Sequence, residues 1–202
     1  WSTFWKSNQT LWRDPLGGVS LYVTTLYWGV GAVMQFAVLV WAEQSLGLSL
    51  KMGAYLQALV AFGVILGAFL AGRCFKLHSA RQAIPWGVML AVLLPVIVNV
   101  SNVWWAIPLL LAVGAAGGIL LVPMNALLQH RGMQVLSPGR SIAVQGFNEN
   151  LCVLMMLGAY SGLLALDVPL TSIMLLLACV LLAGMTPLCW MLIRRARWRV
   201  GK

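Results

Sequence analysis

Six apolar stretches, each about long enough to cross a bilayer, follow one another along this chain with a single charge, Glu149, among them. An α-helix rises 1.5 Å per residue and the hydrocarbon of a bilayer is about 30 Å thick, so about 20 residues suffice for a crossing. The stretches run from Gly17 to Ala42, Met52 to Ala71, Ala83 to Val100, Val103 to Leu127, Ser141 to Leu166 and Pro169 to Ile193. Composition excludes the alternative of a water-soluble fold: 61% of the 202 residues are hydrophobic and 8% charged, where a soluble domain carries about 25% charged residues. The expected fold is therefore an all-α integral membrane protein. Residues 1–16 form a linker or interfacial segment, 17–193 a six-helix bundle, and 194–202 a basic tail, with no room for a soluble domain.

Thirteen Lys and Arg stand against four Asp and Glu. The cations cluster between apolar runs instead of lining one face, which argues for topology and against nucleic acid. Lys6, Arg13, Arg73, Lys76, Arg81, Arg131, Arg140, Arg194, Arg195, Arg197, Arg199 and Lys202 fall on the side shared by the two termini, and Lys51 alone falls opposite. Basic residues concentrate in cytoplasmic loops, so both ends are expected in the cytoplasm. Trp104 and Trp105 then open the fourth span at the outer interface, while Trp86 and Trp190 lie near inner helix ends, where amphipathic rings favour headgroups. Ahead of the first span, Trp1, Phe4, Trp5, Leu11 and Trp12 share an arc of about 120° on a helical wheel. That arc fits a helix lying on the membrane surface, and equally the end of a longer linker. The chain opens at Trp1 without an initiator Met or a signal peptide, and is expected to be part of something longer.

Small residues at helical spacing (Gly63, Gly67 and Ala71; Gly114 and Gly118; Gly158 and Gly162) predict close helix contacts in the second, fourth and fifth spans. Pro95, Pro108, Pro123 and Pro187 free backbone carbonyls and permit kinks. Cys74, Cys152, Cys179 and Cys189 occur singly, without metal-ligand or disulfide spacing, and read as small packing residues.

An ionisable residue inside a span is costly and marks a candidate site. Glu149 is the one acid that qualifies, and Gln145, Asn148 and Cys152 join it on one helical face by their spacing. That face is expected to look into the protein, while Asn150 points the other way. Asn125 and Gln129 stack one turn apart after Pro123, and Gln35 sits at mid-depth in the first span. These residues would line a polar path for a headgroup or a coupling cation, with Glu149 as its principal charge. The same residues would also serve as an interhelical hydrogen-bond network.

Enzyme readings find less support. Ser161 lacks the spacing of a hydrolase nucleophile, and His78 and His130 are expected in loops away from it. Asp14, Glu43, Glu149 and Asp167 are scattered, and no phosphate loop is present, so no catalytic residue, metal or cofactor is assigned.

Six helices with both ends on one side, and the basic loop Gly72-Arg-Cys-Phe-Lys-Leu-His-Ser-Ala-Arg81, resemble one half of a major facilitator superfamily transporter. Val122-Pro-Met-Asn-Ala-Leu-Leu-Gln-His-Arg-Gly132, Ser141-Ile-Ala-Val-Gln-Gly-Phe-Asn-Glu-Asn150 and Met155-Met-Leu-Gly-Ala-Tyr-Ser161 are similar to the bacterial lysophospholipid transporters of that superfamily. The likeness extends to Leu11-Trp12-Arg13, Trp28-Gly29 and Leu46-Gly47, and fades in the sixth span. It implies carriage of lysophospholipids across the bacterial inner membrane to the cytoplasmic leaflet, where an acyltransferase would restore the missing chain, and a partner amino-terminal half of six more helices. The chain departs from the family at Gln35, where an Arg is common, and at His130, where an acid is. A transporter for another small amphipathic substrate, or a six-helix oligomeric channel or scaffold, fits the same six spans.

Overall fold

The structure is a computed structural model describing the backbone of residues 2–200 and the side chains of residues 2–192. Trp1 and the side chains of the basic tail, Arg194 to Lys202, lie outside the described residues. Seven α-helices follow in order: α1 Ser2–Arg13, α2 Gly17–Leu46, α3 Leu50–Cys74, α4 Ile84–Val98, α5 Val103–Val135, α6 Pro138–Ala165 and α7 Leu170–Val200, with a 3-10 turn at Leu77–Ala83 leading into α4. Among the described residues there is no strand, and six helical segments are long and apolar enough to cross a membrane. All six expected spans are present, and the fold is an all-α membrane bundle.

Most helices outrun the apolar stretches that predict them. With 33 residues α5 is about 50 Å long, against a hydrocarbon core of about 30 Å, and it continues two turns past Leu127 to Val135. His130, expected in a loop, therefore lies on α5 itself. Polar side chains beyond the apolar run do not end a helix when the backbone keeps its own bonds, and the stop comes only where Leu136 turns extended and Ser137 precedes Pro138. At the other end of the bundle α2 closes on Gly47, whose φ of 62° is the left-handed cap that glycine accommodates best.

Three helix pairs build most of the bundle. α3 packs along α5 and α6 along α2, while α4 pairs with α7. Gly63 and Gly67 face Gly114 and Gly118 so closely that a Cβ on any of the four would overlap the backbone of the opposite helix, which is the close approach that small residues allow. The expectation fails for Gly158 and Gly162, where nothing lies within 4 Å of an added Cβ. Both sit on the outer side of α6, because it is Gly29 of α2, against the Cys152 thiol, that lets this pair approach. The core is continuous from Val23 and Trp41 on α2 through Leu94 on α4 and Leu120 on α5 to Met174 and Leu181 on α7.

α1 packs against the bundle, on α2 and α6. Leu11, expected in the membrane-facing arc, is fully buried with Leu21, Leu128 and Val144, because Ser7, Asn8 and Leu11 form the stripe that meets α2 and α6. Phe4 and Trp5 place their rings edge-on against Phe147 of α6 at 5.1 and 6.1 Å. Trp5 and Trp12 remain exposed.

Candidate functional site

Polar groups collect where α2, α5 and α6 meet, toward the end of the bundle that carries α1. Helix α6 begins at Pro138, three residues earlier than the sequence suggests, so Glu149 lies about 16 Å along it, still short of its midpoint. One turn earlier, the Gln145 amide donates from Nε2 to Oδ1 of Asn125 on α5 and to Oε1 of Glu149, each at 2.9 Å. The buried Thr24 hydroxyl of α2, which donates to the Leu21 carbonyl at 3.2 Å, lies beside the same carboxylate. α5 and α6 are thus joined through one half-buried acid and two amides, with Thr24 of α2 alongside, and the i, i+4 spacing of Gln145 and Glu149 sets both on the face toward Asn125.

Asn148 shares the turn but not the partners. Its Nδ2 donates to Oδ1 of Asn8 at 2.8 Å and to the Val144 carbonyl at 2.7 Å, and its Oδ1 accepts from the Trp12 indole at 3.1 Å. The expected single polar face of α6 therefore divides: Gln145 and Glu149 serve α5 and α2, whereas Asn148 holds α1. Asn150 points outward and bonds only the Gly146 carbonyl one turn back.

Two expected members stand apart. Gln129 is exposed and makes no hydrogen bond among the described residues. Gln35 is also exposed, about 16 Å beyond Thr24 along α2, and it is its backbone carbonyl that accepts, from the Gln57 amide of α3. Neither belongs to the Glu149 cluster.

A second polar joint lies at the α1 end. Asp14 accepts from the backbone N–H groups of Leu16 and Gly17, at 3.2 and 2.6 Å, and so caps the start of α2. Arg131 of α5 grips the same carboxylate with Nε at 3.0 Å and Nη2 at 2.5 Å, and its Nη1 donates to Gln134, which meets His130 at 3.0 Å. The guanidinium hydrogen bond holds the Asp14 carboxyl below its ordinary range, with the capping N–H groups acting in the same direction and burial opposing them. Sequence reasoning counted Asp14 among scattered acids and Arg131 as a topological charge. The available signal was an Asp three residues before an apolar run, a helix-start pattern. Asn8 and Thr24 carried no comparable signal, since their partners lie 140 and 125 positions away.

No family model matches this chain, and no solved structure does. Curated relatives do. The chain is 37% identical to the lysophospholipid transporter LplT of Klebsiella pneumoniae over 168 residues, 83% of this chain and 42% of the relative. It is 37% identical to the protein of that name from Pectobacterium carotovorum over 83% of the chain and 41% of the relative, and 34% identical to that of Yersinia pestis over 85% and 42%. The chain spans less than half the length of the curated relatives it matches. With six helices long and apolar enough to cross a membrane and this likeness over five-sixths of its residues, the chain is similar to part of the bacterial lysophospholipid transporters.

Proposed function

We propose that this chain is one six-helix wall of a lysophospholipid transporter of the major facilitator type. It would work with a second six-helix half to carry lysophospholipids, by alternating access, to the cytoplasmic leaflet of the bacterial inner membrane. There an acyltransferase would complete them. The observation that carries this reading is the 37% identity over 168 residues to a named lysophospholipid transporter.

The uncovered faces agree with it. Half of the most apolar stretch is buried in α2 and in α5, but 22% in α3 and 6% in α6. α3 packs chiefly on α5 and α6 chiefly on α2, and much of their remaining surface is left to lipid or to a second bundle; on α6 that surface includes the small residues Gly158 and Gly162. Glu149 with Gln145 and Asn125 forms the polar wall of the path, close to the end that the basic residues place in the cytoplasm. In this reading both termini are cytoplasmic.

The test is uptake of labelled lysophosphatidylethanolamine by spheroplasts that lack their own lysolipid transporter and express the complete gene product. Uptake above the empty-vector rate supports the proposal. Equal rates at verified membrane abundance refute the substrate class.

A further inference from the structure

Away from Glu149, the arginine of the 3-10 turn stands where two cavities meet. The larger, of about 260 Å³, is lined by Leu77, His78, Arg81, Leu127, His130 and Arg131 among others. The smaller, of about 150 Å³, is apolar apart from the same Arg81 and is formed by Val19, Ile84, Leu188, Met191 and Leu192 with Pro15. One cavity thus offers cations and imidazoles, the other hydrocarbon, and Arg81 lines both.

Charge is unbalanced there. Asp14 is the acid nearby, and its carboxylate is taken by Arg131 and by the start of α2. Glu43 and Asp167 lie at the opposite end of the bundle and Glu149 on α6. Arg81 is partly buried, yet its side chain makes no hydrogen bond or ion pair with any described residue. A guanidinium offers five N–H donors in a fixed fork matched to phosphate oxygens, and withdrawing it from water without a partner is costly.

We propose that these joined cavities hold an anionic glycerophospholipid of the surrounding leaflet. Its headgroup phosphate rests on Arg81 with His78 and His130, and an acyl chain runs over Ile84, Leu188 and Leu192. A phosphate diester accepts from the guanidinium fork and from imidazole N–H groups, and basic pockets between membrane helices recognise such headgroups. The adjoining apolar cavity selects a lipid over a free phosphate. No lining residue comes from α6, so the site is separate from the Gln145–Glu149 cluster and does not rest on the transport reading.

The test is lipid titration of the complete, delipidated protein in neutral detergent, read by native mass spectrometry as the concentration giving half occupancy. Phosphatidylglycerol should bind the wild type about tenfold more tightly than phosphatidylcholine, and Arg81→Gln should weaken it about tenfold, the scale of one charge-assisted hydrogen bond. Arg81→Lys should cost less than Arg81→Gln, and Arg140→Gln, at an exposed position outside both cavities, should cost nothing. If Arg81→Gln does not fold, His78→Gln takes its place, with a smaller weakening expected. Equal binding by the variant and wild type overturns the site, as does an equal loss at Arg140, which would mean diffuse attraction. Displacement of the lipid by glycerol phosphate or inorganic phosphate at matching concentration overturns the lipid as occupant.

Discussion

Replacing Glu149 by Gln removes a charge and almost nothing else. The amide oxygen still accepts from Gln145 Nε2, which now stands at 2.9 Å from the carboxylate, and the Thr24 hydroxyl keeps its own bond to the Leu21 carbonyl. A hydrogen bond to an ionised group contributes about 1.5–3 kcal/mol and a neutral one about 1. Because the acid is half-buried, the loss falls toward the lower part of that difference, about 1 kcal/mol. Glu149→Leu removes the acceptor, leaves the Gln145 amide with Asn125 alone, and should cost about 2 kcal/mol. If the charge serves transport, the Gln variant should keep its abundance while the initial rate of lysophosphatidylethanolamine uptake, normalised to membrane protein, falls about tenfold, or about 1.4 kcal/mol in the barrier. A wild-type rate for Glu149→Gln at equal abundance refutes the role of the charge. An unchanged thermal midpoint for Glu149→Leu in detergent refutes the hydrogen-bond geometry itself.

Three further outcomes are expected. Asp14→Asn should lower the thermal midpoint at neutral pH and flatten its acid limb: the native carboxyl titrates below its unfolded value, so its contribution is full above about pH 4 and is lost as pH falls through the lowered value, a dependence that midpoints measured from pH 7 to pH 3 should show in the wild type and not in the variant. Gly67→Ala forces a Cβ into the Ala115 backbone and should destabilise by about 1–3 kcal/mol, whereas Gly158→Ala, open within this chain, should be neutral or gain up to about 1 kcal/mol; comparable losses at both sites would contradict the outward placement of Gly158. A cytoplasm-dependent reporter fused after Lys202 should be active and one inserted near Gly47 silent, and the reverse pattern would invert the topology.

The spans were legible because each is a contiguous property of the sequence, apolar composition sustained for about 20 residues. The partners of the polar residues were not, because they depend on rotation and register of helices far apart in sequence. Spacing alone placed Gln145, Asn148 and Glu149 on one face, but an arc of about 100° is wide enough to touch three neighbours, and only packing decides that Asn148 meets Asn8 while Gln145 meets Asn125. The same limit explains the glycines. Gly63 and Gly158 carry identical small-xxx-small signals, yet one lies against α5 and the other against nothing in this chain. Helix ends were misplaced where polar residues continue a helix out of the hydrocarbon, as at His130 and Arg131.

The two polar joints constrain each other through α1. Asn8 and Trp12 tie α1 to Asn148 of α6, and the residue that follows α1, Asp14, is clamped to Arg131 of α5 and to the first turn of α2. Gln145 closes the loop by bonding α6 back to Asn125 of α5. A displacement of α6 along α5 breaks the Gln145–Asn125 bond whatever α1 does. If α1 stays on α2 and α5, the Asn8–Asn148 and Trp12–Asn148 bonds and the Phe4–Phe147 ring contact break as well, at about 1 kcal/mol per neutral hydrogen bond and about 0.5–1.5 kcal/mol for the aromatic pair. If α1 follows α6, it must instead draw the fully buried Leu11 away from Leu21 of α2 and Leu128 of α5, at about 1.5–3 kcal/mol. The two paths cost nearly the same, so α1 braces α6 against sliding in either case.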